Sequence, residues 1–293
     1  MSEAAETLHP VPVSRRAAVL RANLRAVGES VRMEIAAALA LMVGLTLMIL
    51  ANEPPSSAGG ADYDVTDMAW PVLLLGLFAP LAMWKSEEPS RRSYLWSLPV
   101  DRFRHTLVKA ASGWAWVMAF VATYLAWCIS IPLLTGGHIV INAEWETVLL
   151  RGQPPGTVLR DMTLAGHAWL WLVPFVAAST GYFVGTTVAL LSDYPLRVYA
   201  AVSFTFFVTI AMAASAGGTM EQVSDGLFQH GVVGRYGLFT HLTGIVHFYD
   251  QPRPASRPIR DVPVLGAWAW TSLTWTGTAL VAVVLAARRH QER

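Results

Sequence analysis

The chain has 293 residues, of which 54% are hydrophobic and 14% are charged, and its formal net charge is +1. Ordinary soluble domains carry about 25% charged residues, so this composition excludes an ordinary soluble protein. The net charge points to no class of partner, and we expect no nucleic acid. The single cysteine, Cys128, excludes an internal disulfide.

The first 33 residues predict a cytoplasmic tail followed by an amphipathic helix. Arg21, Arg25 and Arg32 flank an apolar stripe at helical spacing. The stripe consists of Ala17, Leu20, Leu24, Val27 and Val31. This pattern is typical of an interfacial helix that lies on the inner membrane surface. A plain basic anchor for the first span is the alternative.

Six apolar stretches follow within residues 34–293, and each is close to or above the about 20 residues that a transmembrane helix needs. They are Ile35–Ala51, Met68–Trp84, Ala110–Leu134, His167–Leu191, Val198–Ala216 and Val262–Ala287. None has a charged residue in its interior. The sequence therefore predicts an all-α polytopic membrane protein with six transmembrane helices.

The basic residues predict the orientation of these helices. Fifteen of the 21 Lys and Arg residues lie in the N-terminal segment, the second–third connection, the fourth–fifth turn and the C-terminal tail. Connections rich in Lys and Arg stay in the cytoplasm. We therefore expect both termini to be cytoplasmic in the inner membrane, with residues 136–166 and 217–261 forming external loops.

The connection between the second and third stretches predicts a short, rigid helix near residues 88–102. Ser90 can begin this helix, and Pro99 must end it. Its side chains include both charged groups and large apolar groups: Glu88, Arg91, Arg92, Tyr94, Leu95, Leu98 and Arg102. Large apolar groups outside the spans need a surface to bury against. Lipid headgroups, the other helices of the chain and a second protein all remain open.

Two further patterns concern helix packing and the source of energy. Gly181 and Gly185 form a Gly-x-x-x-Gly pair, which predicts close helix packing and leaves a dimer interface as the alternative.

The spans contain no Asp, Glu, Lys or Arg, and ion-coupled carriers usually place such groups near the membrane midplane. The sequence therefore argues against a carrier driven by an ion gradient.

The sequence contains no motif for catalysis or for a metal. There is no phosphate-binding loop, no Cys-x-x-Cys, no His-Glu-x-x-His and no nucleophile elbow. His230, His241 and His247 share the last external loop, but their spacing matches no standard metal site. We therefore expect surface histidines, no catalytic residues and no cofactor in this chain.

The order of these elements resembles the permease subunit of type-two ABC exporters. The resemblance rests on the basic N-terminal helix, the six stretches and one cytoplasmic segment. That segment reads Glu88, Arg91-Arg92, Leu95, Leu98-Pro99-Val100, Arg102 and Lys109. In that family the segment is a coupling helix that docks on a separate ATPase subunit, and the N-terminal helix is a connecting helix beside it.

The resemblance implies a transport subunit with no enzymatic activity of its own. Glu88, Arg91, Arg92, Tyr94, Leu95, Leu98 and Arg102 would contact the ATPase. ATP and magnesium would bind to that partner, and a second, identical permease chain would complete the path through the lipid membrane. Two alternatives remain open, an accessory subunit of a larger membrane complex and an intramembrane enzyme.

Overall fold

A computed structural model of the protein describes residues 13–52, 63–84, 101–140, 144–148, 156–160, 167–216, 231–232, 234–249 and 258–292. The helices in these ranges are α1 (Val13–Ser30), α2 (Arg32–Asn52), α3 (Ala69–Trp84), α4 (Arg102–Thr135), α5 (Val173–Leu191), α6 (Pro195–Ala216), α7 (Leu238–Thr243) and α8 (Leu265–Glu292). Two 3-10 helices, Val65–Met68 and Ala168–Leu172, lead into α3 and α5.

Among the residues that the structure describes, four helical segments are long and apolar enough to cross a membrane. They are Arg32–Ala51, Arg102–Thr135, Ala168–Leu191 and Leu265–His290, and the apolar helix Ala69–Trp84 is shorter. The prediction of a mostly helical protein with helices apolar enough for a membrane is confirmed. A set of six spans and an interfacial N-terminal helix stay predictions.

Short strands lie in the connections, where the all-α prediction had none. Within the described ranges they form three two-stranded sheets. The strands β1 (Tyr63–Asp64) and β2 (Ile139–Val140) pair in parallel, whereas β3 (Glu144–Val148) with β4 (Gly156–Arg160), and β5 (Ile245–Tyr249) with β6 (Pro258–Pro263), pair antiparallel. Val, Ile, Thr and aromatic residues, which favour strands, supply much of these segments. Each segment is too short for its periodicity to identify it without its partner.

The core of the bundle lies around α5. Ala177, Ala178 and Tyr182 are fully buried, and α5 packs against α3 on one side and α8 on another. Over half of the span ending at Leu191 is buried, against 6% of the span Arg32–Ala51. The apolar surface of α2 therefore faces the surroundings of the molecule rather than its core.

Helix α1 belongs to the bundle through its C-terminal half. Val27 is buried, as is Val31 just after the end of the helix. The indole nitrogen of Trp116 in α4 donates a hydrogen bond of 2.8 Å to the carbonyl oxygen of Leu24. Gly28 lies against the ring of the same tryptophan, where a side chain would collide with it. Part of the predicted apolar stripe is thus covered by α4.

Candidate functional site

The predicted ATPase contacts lie in a segment whose two flanks the structure describes. Glu88, Arg91, Arg92, Tyr94, Leu95 and Leu98 lie outside the described residues, whereas Arg102 is the first residue of α4. The described residues beside the two flanks are Trp84, Asp101, Phe103, Lys109 and Arg288. We call these five residues the junction.

The first flank is held by an aromatic–cation contact. Trp84 ends α3 and is only 8% exposed, although it stands at the last residue of its helix. The ammonium group of Lys109 in α4 lies 4.5 Å from the centroid of its ring. A cation over an indole face is attracted by the ring quadrupole. The end of α3 is therefore fixed to the first third of α4.

The second flank is a capped helix start. The side chain of Asp101 accepts a hydrogen bond of 3.3 Å from the backbone nitrogen of Arg104, and its carbonyl oxygen accepts one of 2.9 Å from His105. The carboxylate satisfies a backbone donor at the positive end of the helix. This cap fixes the point at which the chain becomes α4.

The C-terminal helix meets the same end of the bundle. The guanidinium carbon of Arg288 lies 5.8 Å from the ring centroid of Phe103. Two residues further on, Nδ1 of His290 donates a hydrogen bond of 3.2 Å to the carbonyl oxygen of Leu190 near the end of α5. Helices α3, α4, α5 and α8 are thus connected where the predicted coupling segment leaves and rejoins the bundle.

Helix α4 links the junction to the middle of the bundle. Its 34 residues extend about 51 Å, longer than the about 30 Å of a hydrocarbon core. The indole nitrogen of Trp114 donates to the hydroxyl of Ser179 at 3.0 Å, and the hydroxyl of Tyr182 donates to the carbonyl oxygen of Ala110 at 2.8 Å. Displacement of α4 would therefore displace α5 with it.

The two glycines of the predicted packing motif face α3 of the same chain. A Cβ atom on Gly181 would collide with the carbonyl oxygen of Leu73, and one on Gly185 with that of Leu77. Gly76 of α3 makes the reciprocal approach to α5. This face of α5 is occupied within the chain, so it is not free to form the alternative dimer interface.

One histidine lies where the sequence analysis did not place it. We expected His241 at the surface, but it is fully buried in α7. Its Nδ1 lies 2.9 Å from the hydroxyl oxygen of Ser272, and the indole nitrogen of Trp268 donates to its carbonyl oxygen at 3.2 Å. Burial lowers the pKa of His241 to about 4, which keeps the ring neutral at neutral pH.

The surroundings of His241 explain why the sequence missed it. The local signal is Leu238 and Leu242 at helical spacing, whereas the partners of His241 come from α8, far along the chain. Trp268 of α8 also packs against Trp169, with 5.1 Å between ring centroids. Of the other two histidines in this connection, His247 lies in β5 and His230 falls outside the described residues. Within the described ranges, no three His, Cys, Asp or Glu side chains form a group that could hold a metal ion.

Comparisons with protein-family models, with curated proteins and with solved structures found no match to this chain.

Proposed function

We propose that this chain is the permease half of an ATP-driven exporter of the ABC type. It inserts through six transmembrane helices, with α1 at the inner membrane surface and both termini in the cytoplasm. A separate ATPase subunit docks on residues 88–102 and hydrolyses ATP there. A second, identical permease completes the path, and the substrate moves outward between the two.

The observation that carries the proposal is the geometry of the junction. The segment that would receive the ATPase is bounded by Trp84 and Asp101. Lys109 of α4 contacts the ring of Trp84, and Asp101 caps the start of α4. A mobile surface loop would need neither contact. Rigid flanks are what a segment needs if its movement is to become a rigid-body movement of helices.

Because α4 is one uninterrupted helix, it can transmit that movement to other helices. A displacement at Asp101 reaches α5 through Trp114 and Tyr182, and reaches α1 through the bond from Trp116 to Leu24. Because α1 and α4 are joined, the predicted connecting helix and the predicted coupling helix would move as one unit.

The source of energy follows from the composition of the spans. The apolar stretches carry no Asp, Glu, Lys or Arg, which are the charged side chains that ion-coupled carriers usually place within the membrane. The sequence has no phosphate-binding loop either. Both observations favour a subunit that is driven by a partner.

The test is a charge placed in the predicted docking surface. Leu95→Asp puts a carboxylate into an apolar contact and costs on the order of several kcal/mol if that contact is dry. We expect the variant to insert normally and to lose its co-purifying ATPase. The matched control is Leu196→Asp in the first turn of α6, where the side chain is 64% exposed.

Two results would contradict the proposal. The first is a Leu95→Asp variant that retains both the ATPase and transport. The second is a wild-type chain that co-purifies in mild detergent with haem- or quinone-containing subunits and with no ATPase. That result would favour the accessory-subunit alternative.

A further inference from the structure

An apolar cavity of about 410 Å³ lies between α2, α3 and α4. Its volume falls within the range of about 300–1,000 Å³ that is usual for small-molecule sites. Along α3 it extends from Pro71 to Met83, about 18 Å at the rise of an α-helix. It is therefore long enough for an elongated ligand.

The lining combines aromatic rings with a single charge. Phe78, Trp116 and Phe120 contribute rings from α3 and α4. Among the described residues that line the cavity, Glu34 is the one with a charged side chain. It lies in the first turn of α2 and is exposed, so the carboxylate stands at the mouth of an otherwise apolar space.

This combination selects the charge of a guest. A carboxylate attracts a cation and repels an anion, and the faces of Trp and Phe rings attract cations as well. An apolar lining favours a ligand whose charge is attached to a large hydrophobic group. A metal ion or a small hydrophilic cation would gain nothing from most of the lining.

We propose that this cavity binds a monovalent organic cation with an apolar body. The charged part lies beside the Glu34 carboxylate, and the apolar part lies between α2, α3 and α4 against Phe78 and Phe120. This binding requires neither the ATPase nor transport, so it can be tested apart from the proposed function.

The experiment compares two ions of similar size and opposite charge. Tetraphenylphosphonium and tetraphenylborate are offered by equilibrium dialysis to the purified full chain in detergent micelles, and empty micelles give the background. We expect the cation to bind more tightly than the anion. Its affinity should fall as salt is raised, because the carboxylate is exposed to solvent.

Variants assign the binding to the cavity. In Glu34→Gln the dissociation constant for the phosphonium should rise about fivefold, since exposed charge pairs contribute at most about 1 kcal/mol. Glu29→Gln removes one charge at an exposed position of α1, outside the cavity lining. It should leave the dissociation constant for the phosphonium unchanged. Phe120→Ala should weaken the binding of both ions.

Several outcomes would overturn the proposal. Equal phosphonium affinity in wild type and Glu34→Gln is one, and it would leave Glu34 as a residue that stabilises the start of α2. Equal binding of borate and phosphonium is another, since it would mean an unselective apolar space. A phospholipid that stays bound in mass spectra of both proteins and excludes the phosphonium would make the cavity a lipid site.

Discussion

The contact between α3 and α5 predicts the effect of a single methyl group. In Gly181→Ala the new Cβ would collide with the carbonyl oxygen of Leu73, and it would lie 3.1 Å from the backbone nitrogen of Leu77. Both are backbone atoms, so no side-chain rotation can make room. The two helices must therefore separate along the line of Gly76, Gly181 and Gly185.

The expected cost follows from overpacking. Inserting a methyl group into a close-packed contact typically costs about 1–3 kcal/mol. For a chain of this size we expect a fall in melting temperature of about 2–5 °C. The matched control is Gly44→Ala, because no atom lies within 4 Å of the added Cβ there. Alanine favours a helix over glycine, so the control should be unchanged or slightly stabilised.

The chain supplies its own reporter for this measurement. Cys128 is the only cysteine and is 3% exposed, so a thiol-reactive fluorophore labels it when the bundle opens. Heating the two variants and the wild type in the same detergent gives three melting curves. If Gly181→Ala melted together with wild type and Gly44→Ala, the close approach of α3 and α5 would be refuted.

Two further predictions use the same protein. Burial lowers the pKa of His241 from 6.5 to about 4, so the folded protein resists protonation of this ring more than the unfolded chain does. The free energy of unfolding should therefore be highest above pH 6.5 and should fall by about 3 kcal/mol as the pH drops to 4. Melting curves over this pH range should show that loss in wild type and less of it in His241→Gln, whereas identical curves would contradict the burial of the ring. In a Cys128→Ala background, a membrane-impermeant thiol reagent should label a cysteine at Ser57 from outside intact cells and miss one at Ser2, and labelling at Ser2 would reverse the predicted orientation.

The helices of the bundle could be predicted because their signal is local. A run such as Ile35–Ala51 has to satisfy its own backbone hydrogen bonds if it crosses lipid, and a helix is the single-segment solution. The structure has a helix over most or all of each of the six apolar stretches. The observed bounds differ most from the predicted ones at α4, which begins at Arg102 instead of Ala110. The cap that moves this boundary, Asp101, is itself a residue type that favours helix starts.

The strands of the connections could not be predicted in the same way. A strand such as Ile245–Tyr249 has no internal hydrogen bonds and exists through its pairing with Pro258–Pro263. That pairing depends on where two separate helices, α7 and α8, bring the segments. Sequence periodicity over five or six residues does not predict this pairing.

The sequence by itself determined that this protein is mostly helical, with helices apolar enough for a membrane, because apolar length and the absence of charge within a stretch are properties of the chain alone. Tertiary structure decided which surfaces meet. It placed Gly181 against the backbone of Leu73, joined His241 to Trp268 of α8, and left Glu34 at the mouth of an apolar cavity. Each of these arrangements depends on atoms far apart in sequence, and contacts of that kind arise only when helices pack side by side.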